Sequence, residues 1–264
     1  MKAISSRQNP LVRAFADLAR TPDPTGARVL LDGVHLVRDA VAAGVELEAV
    51  ALASSRTPAT AEADVARAIA RQGGRVTTVS PRAFAAMSPV RAPSGIVAIA
   101  RRRPVAPDAV CRRQDAFIVV AADVQDPGNL GSLIRAAEAA AVDGVLVCGT
   151  SANPFSGKAA RGRRGSILRL PVAAGLGIDA AIGCVRRHGA RVIAAVPRAG
   201  RDPDTVSWRG AVALLVGGEG AGLSADAIDQ ADERVTIPMA APVESVNVAV
   251  AAAILVYAAR RQRI

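Results

Sequence analysis

The chain has 264 residues, enough for one small and one medium domain. Its residues are 51% hydrophobic but only 2% aromatic, so a core has to be built from Ala, Val, Leu and Ile, which suits helices packed on a buried sheet and excludes an aromatic-rich or fibrous design. A formal charge of +10, from 33 Lys plus Arg against 23 Asp plus Glu, makes a polyanion the natural partner, with RNA or DNA ahead of an acidic membrane surface. In chain order, Pro10 to Ala19 reads as an amphipathic segment, Val29 to Leu31 as a short strand, and Val34 to Ala43 as a helix closed by Gly44. Leu47 to Ala53 reads as a strand, Thr60 to Gln72 as a helix ended by Gly73-Gly74, and Val76 to Val79 and Gly95 to Ala100 as further strands.

The stretch Arg101-Arg102-Arg103-Pro104-Val105-Ala106-Pro107 is charged and carries two prolines, which resist both helix and central strand. The expected division is therefore a smaller α/β domain at 1–102, a linker at 103–114 and a larger α/β domain at 115–264. Ala116 to Ala122 is an apolar run fit for a buried strand, and Asp126-Pro127 starts a helix with Pro in its first turn. Gly144 to Cys148, Arg191 to Val196, Val212 to Val216 and Arg234 to Ile237 are strand candidates separated by crossover lengths, which predicts a mostly parallel sheet with helices on both faces. Glu244 to Arg263 reads as a last helix, opened by Ser245 as a possible cap, with Arg260, Arg261 and Arg263 at its C-terminal end.

Lys occurs only at Lys2 and Lys158, so the positive charge is almost all Arg, which favours bidentate phosphate contacts; an Arg-rich codon usage gives the same count. Cys111, Cys184 and Cys148 are far apart and odd in number, which indicates neither a zinc site nor a disulfide framework and fits a reducing cytoplasm. MKAISSRQNP has no apolar leader, and the run Val248 to Ala259 is too short and too Ala-rich to span a bilayer, so no membrane role is expected. Gly217 to Gly222 does not register as a dinucleotide fingerprint, and Gly157-Lys158 lacks the rest of a phosphate loop. There is no hydrolase elbow, and His35 and His188 fall in separate domains, so metal and His-based mechanisms are disfavoured.

Three Gly- or Pro-rich loops follow strands where parallel sheets bind ligands: Asp126 to Ser132, Gly217 to Leu223 and Pro238 to Asn247. Each alone reads equally well as a tight turn. Taken in order, DPGNLGSLIRAAEAA from Asp126, LLVGGEGAGLS from Leu214 and IPMAAPVESVNVAVAAAILVYAA from Ile237 resemble the three motifs of the SpoU/TrmH RNA 2'-O-ribose methyltransferases of the SPOUT superfamily. The resemblance runs from Ala116 to the C-terminus, and the segments ISSRQNPLVR, LLDGVHLVRDAV and APSGIVAIA are similar to the ribosomal-protein-like RNA-binding domain that many members carry.

That resemblance implies a parallel sheet whose C-terminal segment forms a deep trefoil knot, S-adenosyl-L-methionine bound at the knot without metal, a homodimer, and ribosomal or transfer RNA as substrate. It also implies site residues by position: Asn129 and Arg135 from the first motif, Glu219 from the second, and Ser245 and Asn247 from the third, with Gly217, Gly218, Ile237, Met239 and Val246 around the donor. Arg135 makes sense as a clamp on a substrate phosphate that also stabilises charge developing on the 2'-oxygen, whereas a guanidinium, with donors and no acceptor, is ill suited to be a literal proton acceptor. Glu219 is expected to accept a hydrogen bond from the Asn129 amide. Arg161, Arg163, Arg164 and Arg169 read as a phosphate-binding edge or as a solvated basic face. Arg163, Gly218 and Ala241 depart from the residues usual in relatives. The competing readings are a catalytically silent RNA-binding paralogue and a base methyltransferase of the same fold.

Overall fold

The computed structural model describes residues 3–55, 60–88, 90, 94–157, 159 and 165–264. The chain divides into two units, Met1–Pro104 with Phe155–Ala160, and Val105–Pro154 with Arg161–Ile264.

In the first unit, Asn9 opens α1 (Pro10–Arg20) by accepting the Leu11 N–H at 2.9 Å, and Pro10 sits in the first turn, where its missing N–H costs nothing. There follow β1 (Arg28–Asp32), α2 (Val34–Ala42), β2 (Leu47–Ala53), α3 (Ala61–Arg71), β3 (Val76–Val79), α4 (Pro81–Met87) and β4 (Ile96–Arg101). The sheet order is β1-β4-β2-β3, with β4 antiparallel to β1 and β2 and β3 parallel to β2. Helix α4 is not among the expected elements: seven residues are too few for a helical period to register, although Ser80 caps it through the Ala83 N–H at 3.3 Å. Val12, Phe15 and Leu18 of α1 meet Ala83, Phe84 and Met87 of α4 in one buried cluster over the sheet.

The second unit runs through α5 (Pro107–Val110), β5 (Phe117–Ala122), α6 (Pro127–Ala139), β6 (Gly144–Cys148), β7 (Val172–Leu176), α7 (Ile178–Arg187), β8 (Arg191–Ala195), β9 (Val212–Gly217), α8 (Ala225–Asp229), β10 (Glu233–Val235) and α9 (Val248–Arg263). Its six strands are all parallel, in the order β10-β8-β9-β5-β6-β7. Every residue of β5 is buried, which is why this central strand reads as an unbroken apolar run. From β5 the chain builds β6 and β7 on one side and then crosses to β8 on the other, which opens a cleft beyond the carboxyl ends of β8, β9 and β10. Trp208, just before β9, is fully buried, meets Phe117 edge-to-face at 6.0 Å, and donates its indole N–H to the Pro203 carbonyl at 2.8 Å.

Several expectations change. Strand β7 went unseen because Val-Ala-Ala-Gly-Leu is short and carries a Gly, and it pairs only with β6 at the sheet edge. Arg101 completes β4 and Pro107 opens α5, so the proline-bearing stretch that resists regular structure is bracketed by it; Pro is tolerated at the first helical position. The last helix begins at Val248, not at Glu244, and its cap is Asn247, whose side-chain oxygen accepts the N–H groups of Ala249 at 2.9 Å and Val250 at 3.4 Å. Ser245 is therefore not the cap and stays in the loop. Among the described residues, no helix is long and apolar enough to cross a membrane.

Candidate active site

A cavity of about 550 Å³ lies beyond the carboxyl ends of β8, β9 and β10, within the range of small-molecule sites. Its walls are mainly apolar, including Leu223, Ile228 and Leu255. All five residues expected around a donor, Gly217, Gly218, Ile237, Met239 and Val246, line it, as do Glu219, Ser245 and Asn247.

The loops meet because three side chains form a bonded chain across the cleft. Asn247 donates its amide to the Asn129 side-chain oxygen at 2.9 Å, and Asn129 donates its own amide to Glu219 at 2.7 Å. The other Glu219 oxygen accepts the Gln125 N–H at 3.1 Å. Asn129 is held in place because Asp126 caps α6 through the Asn129 N–H at 2.9 Å, so the strand-to-helix turn itself aims the amide. Burial pushes the Glu219 carboxyl up, but bonds from Asn129 and from loop N–H groups, among them those of Gln125 and Asp126, outweigh it and hold the group below its ordinary value. Glu219 is thus an ionised acceptor that ties its own loop to the turn before α6, and Asn129 extends the tie to Asn247.

Arg135 lies on α6 but outside the cavity wall; its side chain is exposed and makes no hydrogen bond or ion pair with a described side chain. The expected basic edge is only partly visible. Arg161, Arg163 and Arg164 lie outside the described residues, and Arg169 grips both oxygens of Glu138, at 2.5 and 3.1 Å.

Two supporting residues escaped sequence reading. Asp123 ends the β5 turn at φ +56 and accepts both the N–H and the hydroxyl of Thr150, at 2.7 and 2.8 Å. Its carbonyl packs so closely on Gly218 that a Cβ there would lie 1.8 Å away. No motif marks Asp123, whereas Pro197, in the cavity wall, stood one residue beyond an expected strand.

A parallel sheet carrying a mainly apolar cavity beyond its carboxyl ends, roofed by three tied loops, defines a cofactor-dependent α/β enzyme. Residues 116–257 match the SpoU rRNA Methylase family, and residues 13–98 match the MRM3-like substrate binding domain. The chain is 31% identical over 259 residues to the 23S rRNA (guanosine(2553)-2'-O)-methyltransferase RlmP of Bacillus subtilis, covering 97% of this chain and 98% of that one. An AdoMet-bound rRNA methyltransferase from Sinorhizobium meliloti superimposes with a TM-score of 0.85 at 28% identity, covering 100% of this chain and 98% of the other. The SpoU methyltransferase AviRb from Streptomyces viridochromogenes, in complex with AdoMet, gives a TM-score of 0.84 at 26% identity, covering 97% and 98%. The chain belongs to the SpoU rRNA methylase family. It is an RNA methyltransferase with S-adenosyl-L-methionine as methyl donor.

Proposed function

We propose that this protein transfers a methyl group to a ribose 2'-hydroxyl of ribosomal RNA in the cytoplasm, acting as a homodimer. The observation that carries the reading is the Asn247–Asn129–Glu219 chain of bonds, which joins the three loops around the cavity. In-line methyl transfer needs positioning more than acid-base power, and a rigid loop set holding the donor supplies it. The donor fits the residues present: the cavity offers Met239, Ile237 and Leu223 for apolar contact, and Gly217 and Gly218 let backbone approach. When bound, S-adenosyl-L-methionine supplies an electrophilic methyl group. Glu219 and Asn129 fix the loops, and Arg135 clamps RNA and steadies charge on the 2'-oxygen.

The N-terminal domain supplies RNA affinity, consistent with its match to a substrate binding domain, and the overall positive charge favours phosphate contact. The homodimer is supported by Val250, Ile254 and Tyr257, which lie at i, i+4 and i+7 on α9 and are 47%, 41% and 47% exposed. The trefoil knot belongs to the same proposal: the segment after β10 returns from the sheet edge past the Gly217 loop to Asn129 before entering α9.

Two measurements on the purified protein test the reading. Calorimetry should record donor binding that is unchanged by chelator, by a species that sediments as a dimer. Mapping of ribosomal RNA from cells with the gene deleted should show loss of a 2'-O-methyl nucleotide. A lost base methyl with all ribose methyls intact would sink the ribose assignment, and loss of a transfer RNA methyl alone would move the substrate.

A further inference from the structure

A second group of reactive side chains lies in the larger unit, on residues that take no part in the donor cavity. Cys184 and His188 are four residues apart at the end of α7, so one helix face carries both. Asp108, in the first turn of the short helix α5, meets them: its Oδ1 lies 3.1 Å from His188 Nε2 and 3.7 Å from Cys184 Sγ. Cys111, which ends α5, places its sulfur 3.9 Å from that of Cys184. The donor atoms of Asp108, Cys184 and His188 all lie within 4.8 Å of one another.

We propose that Asp108, Cys184 and His188 bind a thiophilic divalent cation of the zinc class, leaving the fourth position of the coordination to water. The ligand set is carboxylate, thiolate and imidazole, which zinc-class ions take and calcium- or magnesium-class ions do not. Bond lengths to oxygen and nitrogen near 2.0 Å and to sulfur near 2.3 Å make the edges of a tetrahedron about 3.3 Å for oxygen to nitrogen and about 3.5 Å for sulfur to oxygen. The observed separations of 3.1 Å from Asp108 to His188 and 3.7 Å from Asp108 to Cys184 each fall about 0.2 Å from these edges. Arg187 reaches the same Asp108 oxygen at 3.3 Å from an exposed position and serves as an outer partner orienting the carboxylate. The ion ties α5, the first helix of the larger unit, to α7, so its role is to fasten the fold and not to take part in methyl transfer.

The test is titration of the metal-stripped full-length protein with Co(II), followed by absorption, with Zn(II) competition and thermal melting alongside. One equivalent should produce a thiolate-to-cobalt charge-transfer band with tetrahedral d–d absorption, Zn(II) should bleach it, and saturating Zn(II) at about a hundredfold excess over Kd should raise the Tm by about 5–10 °C. Cys184→Ser should abolish the charge-transfer band. His188→Ala and Asp108→Asn, both on exposed or half-exposed side chains and able to fold whatever becomes of the Cys184 variant, should each weaken Co(II) binding at least about tenfold. Absence of the band in the wild type, its persistence in Cys184→Ser, or unchanged affinity in both His188→Ala and Asp108→Asn would overturn the proposal and leave only a hydrogen-bonded cluster.

Discussion

Arg135→Ala should slow single-turnover methylation of an RNA transcript by about two to three orders of magnitude, the usual cost of removing a donor that stabilises a developing oxyanion. Donor affinity should stay within about twofold, because Arg135 is outside the cavity wall. Folding should be unaffected: the side chain is exposed on α6, forms no ion pair with a described residue, and Ala is the best helix former. Arg135→Lys keeps the charge but loses the planar fork, so a clamp on phosphate and oxygen together predicts a steep fall there too. A near-wild-type rate for either variant would make Arg135 an ordinary surface residue and leave the site with donor binding alone.

Gly218→Ala should cripple the donor site by a different route. A Cβ at this position would lie 1.8 Å from the Asp123 carbonyl oxygen and 2.6 Å from its carbon, and backbone atoms cannot swing aside as a side chain would. The Gly217 loop must then move off the β5 turn, which also carries Gln125 and its bond to Glu219. The expected cost is about 1–3 kcal/mol of stability, as for other overpacked interiors, and a loss of at least about tenfold in donor affinity by calorimetry. Gly183→Ala is the control, since its Cβ in the middle of α7 meets nothing closer than 3.7 Å and should stabilise by about 0.5–1 kcal/mol. Equal donor affinity in Gly218→Ala and wild type would show that the two loops move independently.

The pattern of strands and helices was legible because it is set by interactions a few residues long. The buried β5 shows as Phe117 to Ala122 without a polar residue, and Asp126-Pro127 announces α6 through its cap and first-turn proline. The three loops around the cavity stand out through their resemblance, taken in order, to the SpoU/TrmH motifs, since each alone reads equally well as a tight turn. Where local signals compete, the reading slipped. Ser245 and Asn247 are both good caps, and only the bond from Asn247 to Asn129 decides that the helix starts two residues later, with Ser245 left on the cavity wall.

What the sequence determined by itself was therefore the α/β class, the order of most elements, the positive balance that suits RNA, and a set of loop residues that line one cavity. Only the tertiary structure decided which of them meet. Asn129 bonds to Glu219 from 90 positions away and to Asn247 from 118, and His188 finds Asp108 from 80. Helical periods, caps and turns act over about four residues and leave their mark on neighbouring letters. The meeting of distant loops depends instead on the order of strands in the sheet, here β10-β8-β9-β5-β6-β7, and that order is settled by burial of whole faces against one another, which no short stretch of sequence records.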